Sequence, residues 1–135
     1  MSNVHLESLH KAYGQTVAVH SLDLTIAQGE LVTLLGPSGC GKTTTLRMIA
    51  GLIEPTSGRI RFDDQDVTWL PPRRRNIGFV FQTPALFPHL TVAANVAFGL
   101  SVKGVGKAAI EARVEEMLGL VELEGYGGQI GRAHV

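Results

Sequence analysis

Apolar positions along the chain fall into short runs separated by glycine- and proline-rich breaks. Val4-His5-Leu6-Glu7-Ser8-Leu9 alternates in part and predicts a strand, followed by a turn over Lys11-Ala12-Tyr13-Gly14-Gln15. The stretch from Val17 to Ile26 predicts a second strand, with Leu22, Leu24 and Ile26 on one face. Ala27-Gln28-Gly29-Glu30 turns the chain into Leu31-Val32-Thr33-Leu34-Leu35, a continuous apolar run of the kind that a buried parallel strand carries. Thr44 to Ala50 predicts a helix, with Leu46, Ile49 and Ala50 at helical spacing and Gly51 at its C-terminus. A loop over Glu54–Gly58 leads to a short strand, Gly58 to Phe62, and a turn at Asp63-Asp64. Pro71-Pro72-Arg73-Arg74-Arg75 reads as a rigid connector whose arginines are solvated rather than a binding patch. Ile77-Gly78-Phe79-Val80-Phe81 is a second candidate buried strand, ended by Gln82. Residues 84–90 are apolar but broken by Pro84 and Pro88, which predicts a loop carrying exposed apolar groups. Thr91 is placed to cap a helix over Val92 to Leu100, and Lys107 to Leu118 predicts an amphipathic helix with Ile110, Val114, Met117 and Leu118 on one face. The order implies an α/β fold with a small antiparallel sheet beside a parallel core, and there is no internal repeat.

Composition narrows the class. The 135 residues are 44% hydrophobic, enough for one globular domain. Twelve basic residues balance twelve acidic ones, so net charge makes no case for nucleic acid or an anionic membrane surface. The single cysteine, Cys40, has no partner for an internal disulfide, and no second Cys or suitably spaced His joins it as a metal ligand. Met1 to His5 carries no leader-like pattern, and no run approaches the 18 or so apolar residues of a membrane span. The expectation is a cytoplasmic chain in a reducing compartment.

Between the first buried run and the first helix stands Gly36-Pro37-Ser38-Gly39-Cys40-Gly41-Lys42-Thr43-Thr44, which fits Gly, four residues, Gly-Lys-Ser/Thr. Glycines at 36, 39 and 41 permit close backbone approach to a ligand. The amides of the loop then converge on phosphate oxygens at the positive end of a helix. Lys42 reaches terminal phosphates as a point charge, and the Thr43 hydroxyl suits Mg²⁺ bridging phosphate oxygens. The plain alternative is a glycine-rich turn between a strand and a helix.

These motifs and their order resemble the first part of an ATP-binding cassette (ABC) transporter ATPase of the bacterial import type. Tyr13 matches the family's adenine-stacking aromatic, although a turn tyrosine packing on the sheet would look the same. Gly36 to Thr44 matches the Walker A loop. Leu46 to Leu52, then Pro55-Thr56-Ser57-Gly58, match the family's stretch on the C-terminal side of that loop. Val80-Phe81-Gln82, with Ala85 to Val92 and Asn95-Val96, match the Q-loop and its flank. The resemblance implies a RecA-like P-loop core, with an N-terminal antiparallel β-subdomain and the start of an inserted helical subdomain. The domain would run over residues 1–128, divided at 83/84. It implies ATP and Mg²⁺ as ligands. Gly36, Ser38, Gly39, Cys40 and Gly41 would hold the nucleotide together with Lys42, Thr43 and Thr44. Thr43 and Gln82 would be at the metal, and Lys42 and Gln82 would take part in catalysis. Further implied are transmembrane permease subunits docking on about Pro84 to Leu100, a second copy of the subunit, and an extracytoplasmic binding protein acting indirectly. The chain would then sit peripherally on the inner face of the membrane. Packing inside the same domain is the other reading of the Pro84–Leu100 surface.

The family's Leu-Ser-Gly-Gly-Gln signature, Walker B Asp-Glu and switch histidine do not occur in the sequence; Gly127-Gly128-Gln129 has Gly125-Tyr126 where Leu-Ser would stand. Ile130 to Val135 are the literal translation of a string resembling sequencing-adapter read-through, whose preceding bases would also complete the Gln129 codon; this marks residues 129–135 for exclusion from fold reasoning, with a divergent natural terminus as the alternative. Three further readings compete: a soluble cassette protein acting on DNA or ribosomes, a phosphoryl-transfer kinase or GTPase sharing only the phosphate loop, against which Tyr13 and Gln82 in cassette positions argue, and a non-catalytic nucleotide-binding fragment. The Ala85-Leu86-Phe87-Pro88-His89-Leu90 flank and the neutral charge favour the transporter subunit.

Overall fold

Alternation in the first 26 residues does produce a hairpin. Strand β1 (Val4–Tyr13) pairs antiparallel with β2 (Thr16–Ile26), in a register that sets Val4 opposite Ile26, Leu6 opposite Leu24 and Tyr13 opposite Thr16. Lys11, Ala12 and Tyr13 therefore belong to β1, and only Gly14-Gln15 form the turn, because the β2 ladder extends to Thr16. On its other edge β1 pairs with β3 (Ser57–Phe62), and β3 with the two-residue β4 (Gln65–Asp66), giving the antiparallel order β2-β1-β3-β4. The computed structural model describes residues 2–83 and 85–130, so Met1, Pro84 and positions 131–135 of the supposed adapter tail lie outside the described residues. The chain divides into two units, Met1–Val80 and Phe81–Val135.

The imperfect alternation of β1 has a structural cause. Register shifts between Leu6 and Leu9, where Ser8 takes a φ of 47°. The Asp23 carboxylate accepts a hydrogen bond from the Ser8 amide at 2.6 Å and holds the bulge. Leu6 and Leu9, three apart, thus both enter the core. There they join Val19, Ile60, Val67 and Met48.

Met48 comes from helix α1 (Lys42–Ile49), which begins two residues before the sequence pattern places it. Its buried face is Thr45 and Met48, with Ala50 behind, while Leu46 is half-exposed. Burying a methionine of this kind is worth about 1.5–3 kcal/mol, so Met48 helps to fasten α1 to the sheet. Beyond β4, Thr68 is buried. Its hydroxyl accepts from the Ile60 amide at 2.9 Å and donates to Asp66 Oδ1 at 2.6 Å. Hydrogen bonds from Thr68 hold the Asp66 carboxyl below its ordinary value. Thr68→Val in the full-length protein should cost about 1–3 kcal/mol, because the buried Ile60 amide loses its acceptor; an unchanged denaturant midpoint would contradict this.

The two runs expected as parallel strands are not strands. Leu31–Leu35 and Ile77–Phe81 are irregular, and Leu31, Leu35 and Val80 are 93%, 88% and 95% exposed. A parallel strand requires parallel neighbours and cover on both faces. Among the described residues the only sheet is antiparallel, so neither run has that setting. The arginine run is corrected too. Pro72–Arg74 is one 3-10 turn with exposed arginines, but Arg75 is buried, only 5% exposed.

The second unit contains α2 (Val92–Val102) and α3 (Lys107–Leu120). The Thr91 hydroxyl caps α2 by accepting from the Ala94 amide at 3.2 Å, as its residue type predicts. The amides of Val92 and Ala93 donate to the carbonyls of Gln129 and Gly127 at 2.8 and 2.9 Å. The Asn95 carboxamide holds the preceding loop, accepting from the Phe87 amide and donating to the carbonyls of Phe87, Leu90 and Thr91. Val114 and Leu118 form the buried stripe of α3, with Ile110 and Met117 half-buried beside them.

Candidate functional site

The loop before α1 is shaped by its glycines. Gly41, the residue ahead of the helix, has φ 88° and lies so close to the Ala18 carbonyl and Val19 of β2 that no side chain fits there. This contact seats the start of α1 on the hairpin. No side chain caps the helix, so its first amides keep no acceptor of their own. Such an open N-terminus, with the positive end of the helix dipole behind it, fits a phosphate.

Lys42 folds back over the loop. Its Nζ donates to the carbonyls of Gly36 and Pro37, both at 2.7 Å, and lies 3.2 Å from Cys40 Sγ. The loop is thus a ring closed by its own lysine. Neutral carbonyls hold an ammonium less tightly than anionic oxygens do, so a phosphate entering the ring can take the lysine over. Thr43, beside Lys42 in the first turn of α1, is exposed and offers a hard hydroxyl donor suited to Mg²⁺. Ser38, Gly39 and Cys40 are exposed along the loop, and Thr44 is half-buried at the start of the helix.

Tyr13 is brought towards this loop by the hairpin. It pairs with Thr16, and Ala18, two residues on, is the β2 residue against Gly41, so roughly 7 Å of strand separates the two levels. The residue is 51% exposed, and Lys11 Nζ lies over its ring, 4.9 Å from the centroid. Gln82 is exposed in an irregular stretch and belongs to the second unit, so it is not among the residues that the first unit gathers around the loop.

Sequence reasoning misses Arg75. Its Nη1 donates to the carbonyls of Met48 and Ile49 at 2.8 and 2.9 Å, Nε to Leu70 at 2.8 Å, and Nη2 to Thr68 at 2.9 Å. Burial pushes the guanidinium below its ordinary value, and the Asp66 carboxylate opposes that shift. Gly51, a C-terminal glycine with φ 74°, is the one signal: a Cβ there would lie 2.5 Å from Arg75 Nε.

Comparison with known proteins gives three kinds of likeness. Residues 19–132 match the family described as ABC transporter. The chain is 61% identical over 124 residues to a spermidine/putrescine import ATP-binding protein of Thermobifida fusca, covering 89% of this chain and 32% of the relative. It is 55% identical over 127 residues to a sulfate/thiosulfate import ATP-binding protein of Gloeobacter violaceus, covering 94% and 37%. An Fe(3+) ions import ATP-binding protein of Haemophilus influenzae is 52% identical over 121 residues, covering 90% and 37%. The chain thus spans about a third of the length of these relatives. Among solved structures, a dimeric ATP-binding cassette in a post-hydrolysis state bound to ADP and Pi superposes with a TM-score of 0.86 at 32% identity, over 98% of this chain and 63% of that one.

Proposed function

The chain belongs to the ABC transporter family, and on that premise we propose that it is the ATP-binding part of a subunit that hydrolyses ATP to drive import through partner membrane proteins. The observation that carries this is the ring of Gly36 to Lys42 at an uncapped helix start, seated on β2 through Gly41. In this reading the loop amides and Lys42 bind the β- and γ-phosphates, and the Thr43 hydroxyl helps to hold Mg²⁺. Bound Mg²⁺ would neutralise charge building up on the phosphates. Gln82 would orient the attacking water or contact the metal.

The relatives' names support the import role, and they differ in cargo: polyamine, sulfate and ferric iron. Cargo is therefore set by partners rather than by this loop. The dimeric neighbour supports assembly with a second copy. Residues 85–100 carry exposed Leu86, Phe87, Val96 and Phe98, a surface that suits a membrane subunit. Among the described residues no helix is long and apolar enough to cross a membrane. The neutral composition gives no support to a DNA- or ribosome-directed role. The test is Lys42-dependent ATP hydrolysis by the full-length protein, rising when its membrane partners are co-reconstituted. Hydrolysis indifferent to Lys42 would remove the reading.

Adenine stacking by Tyr13 has a separate test. Base stacking is worth on the order of 1–3 kcal/mol, so Tyr13→Ala should weaken ATP binding about 5- to 100-fold. Tyr13→Trp should retain most of the affinity. Equal affinity in the wild type and Tyr13→Ala would assign the ring to the sheet alone.

A further inference from the structure

Helix α1 is held at both ends, and the Gly41 end serves the phosphate loop. It has eight residues, about 12 Å of rigid rod. Its N-terminal end rests on Ala18 and Val19, and its C-terminal end is gripped by a single side chain, Arg75. One nitrogen of that guanidinium takes the last two helical carbonyls, Met48 and Ile49, while the other two take Leu70 and Thr68. All four of these acceptors are backbone carbonyls, so the fork clasps the negative end of the helix to the Thr68–Leu70 segment. Gly51 makes room for the fork, because a Cβ there would press on Nε and on the Leu70 carbonyl at 2.9 Å.

We propose that Arg75 is a positioning residue for the phosphate loop: by fixing the C-terminus of α1 it sets where Gly41, Lys42 and the open amides stand, and so tunes affinity for the nucleotide's phosphates. The inference rests on the proposed ATP-binding function. Over two turns a helix has little compliance, so a tilt or slide released at Met48–Ile49 reappears at Lys42. A lysine cannot substitute, since it offers one point of attachment where four carbonyls in a fork are satisfied.

The experiment compares ATP and AMP binding to the full-length wild type, Arg75→Lys and Gly51→Ala by calorimetry, at a temperature where near-UV circular dichroism shows each variant folded. AMP shares the adenine and ribose of ATP but lacks the terminal phosphates. Arg75→Lys should lower the ATP-to-AMP affinity ratio roughly 2- to 30-fold. Gly51→Ala should lower it similarly, and the double variant should be no worse than the more affected single one, because both changes break one clasp. A wild-type ratio in Arg75→Lys, even with a lowered melting temperature, would make Arg75 a purely structural residue and overturn the proposal. Additive losses in the double variant would also overturn it. Failure of the wild type itself to prefer ATP over AMP would instead remove the proposed function, and this inference with it.

Discussion

Lys42→Ala in the full-length protein is expected to lower ATP turnover by about 10²–10³-fold, the usual cost of removing one preorganised electrostatic contact from a reacting group. The Lys42 ammonium rests on the carbonyls of Gly36 and Pro37 at 2.7 Å, contacts that phosphate oxygens would replace under the proposed function. A hydrogen bond to a charged group is worth about 1.5–3 kcal/mol, so equilibrium affinity for ATP should also fall, by about 10- to 150-fold. The ring also loses the bond that closes it. Phosphate release at saturating ATP measures the first effect and calorimetry the second. Wild-type values for both would reduce the loop to a turn.

A polypeptide of these 135 residues alone is expected to give no cooperative thermal transition and no phosphate release above background. Leu31, Leu35 and Val80 stand almost fully in water, in runs whose composition suits a sheet interior. Burying three such side chains is worth roughly 5–9 kcal/mol, comparable with the whole net stability of a domain, about 5–15 kcal/mol. Exposed apolar side chains of this kind also invite association between chains. Hydrolysis should fail for a separate reason, because the acidic Walker B motif and the signature loop that the family resemblance implies do not occur in this sequence. Differential scanning calorimetry and a phosphate assay on the purified polypeptide test both halves. A sharp two-state melt, or Lys42-dependent phosphate release, would contradict the corresponding half.

The parts legible in the sequence are those specified by local rules. Glycine spacing and the helix after it mark the loop, since Gly41 at φ 88° against Ala18 admits no other residue. Thr91 caps α2 because a hydroxyl ahead of a helix has that use wherever it occurs. Val114 and Leu118 follow from a period of 3.6. Apolar runs are less legible. Leu31–Leu35 and Ile77–Phe81 state a need for burial, whereas a strand also needs partners that local composition does not name. The bulge at Ser8 is hidden because its anchor, Asp23, lies on the neighbouring strand. Arg75 is hidden for a similar reason. In a run of three arginines each looks solvated, and what distinguishes the third is a set of carbonyls, two of them 26 and 27 residues away, converging on one point.

The central claim is that Gly36 to Thr44 recognises the phosphates of a magnesium nucleotide. Calorimetric titration of the full-length protein with ATP, ADP and AMP, with magnesium and with a chelator, tests it most directly. The expected result is one site per chain, affinity falling from ATP to ADP to AMP, a further loss when magnesium is removed, and collapse of the ladder in Lys42→Ala. Equal affinity for all three nucleotides, unaffected by magnesium or by Lys42, would contradict it.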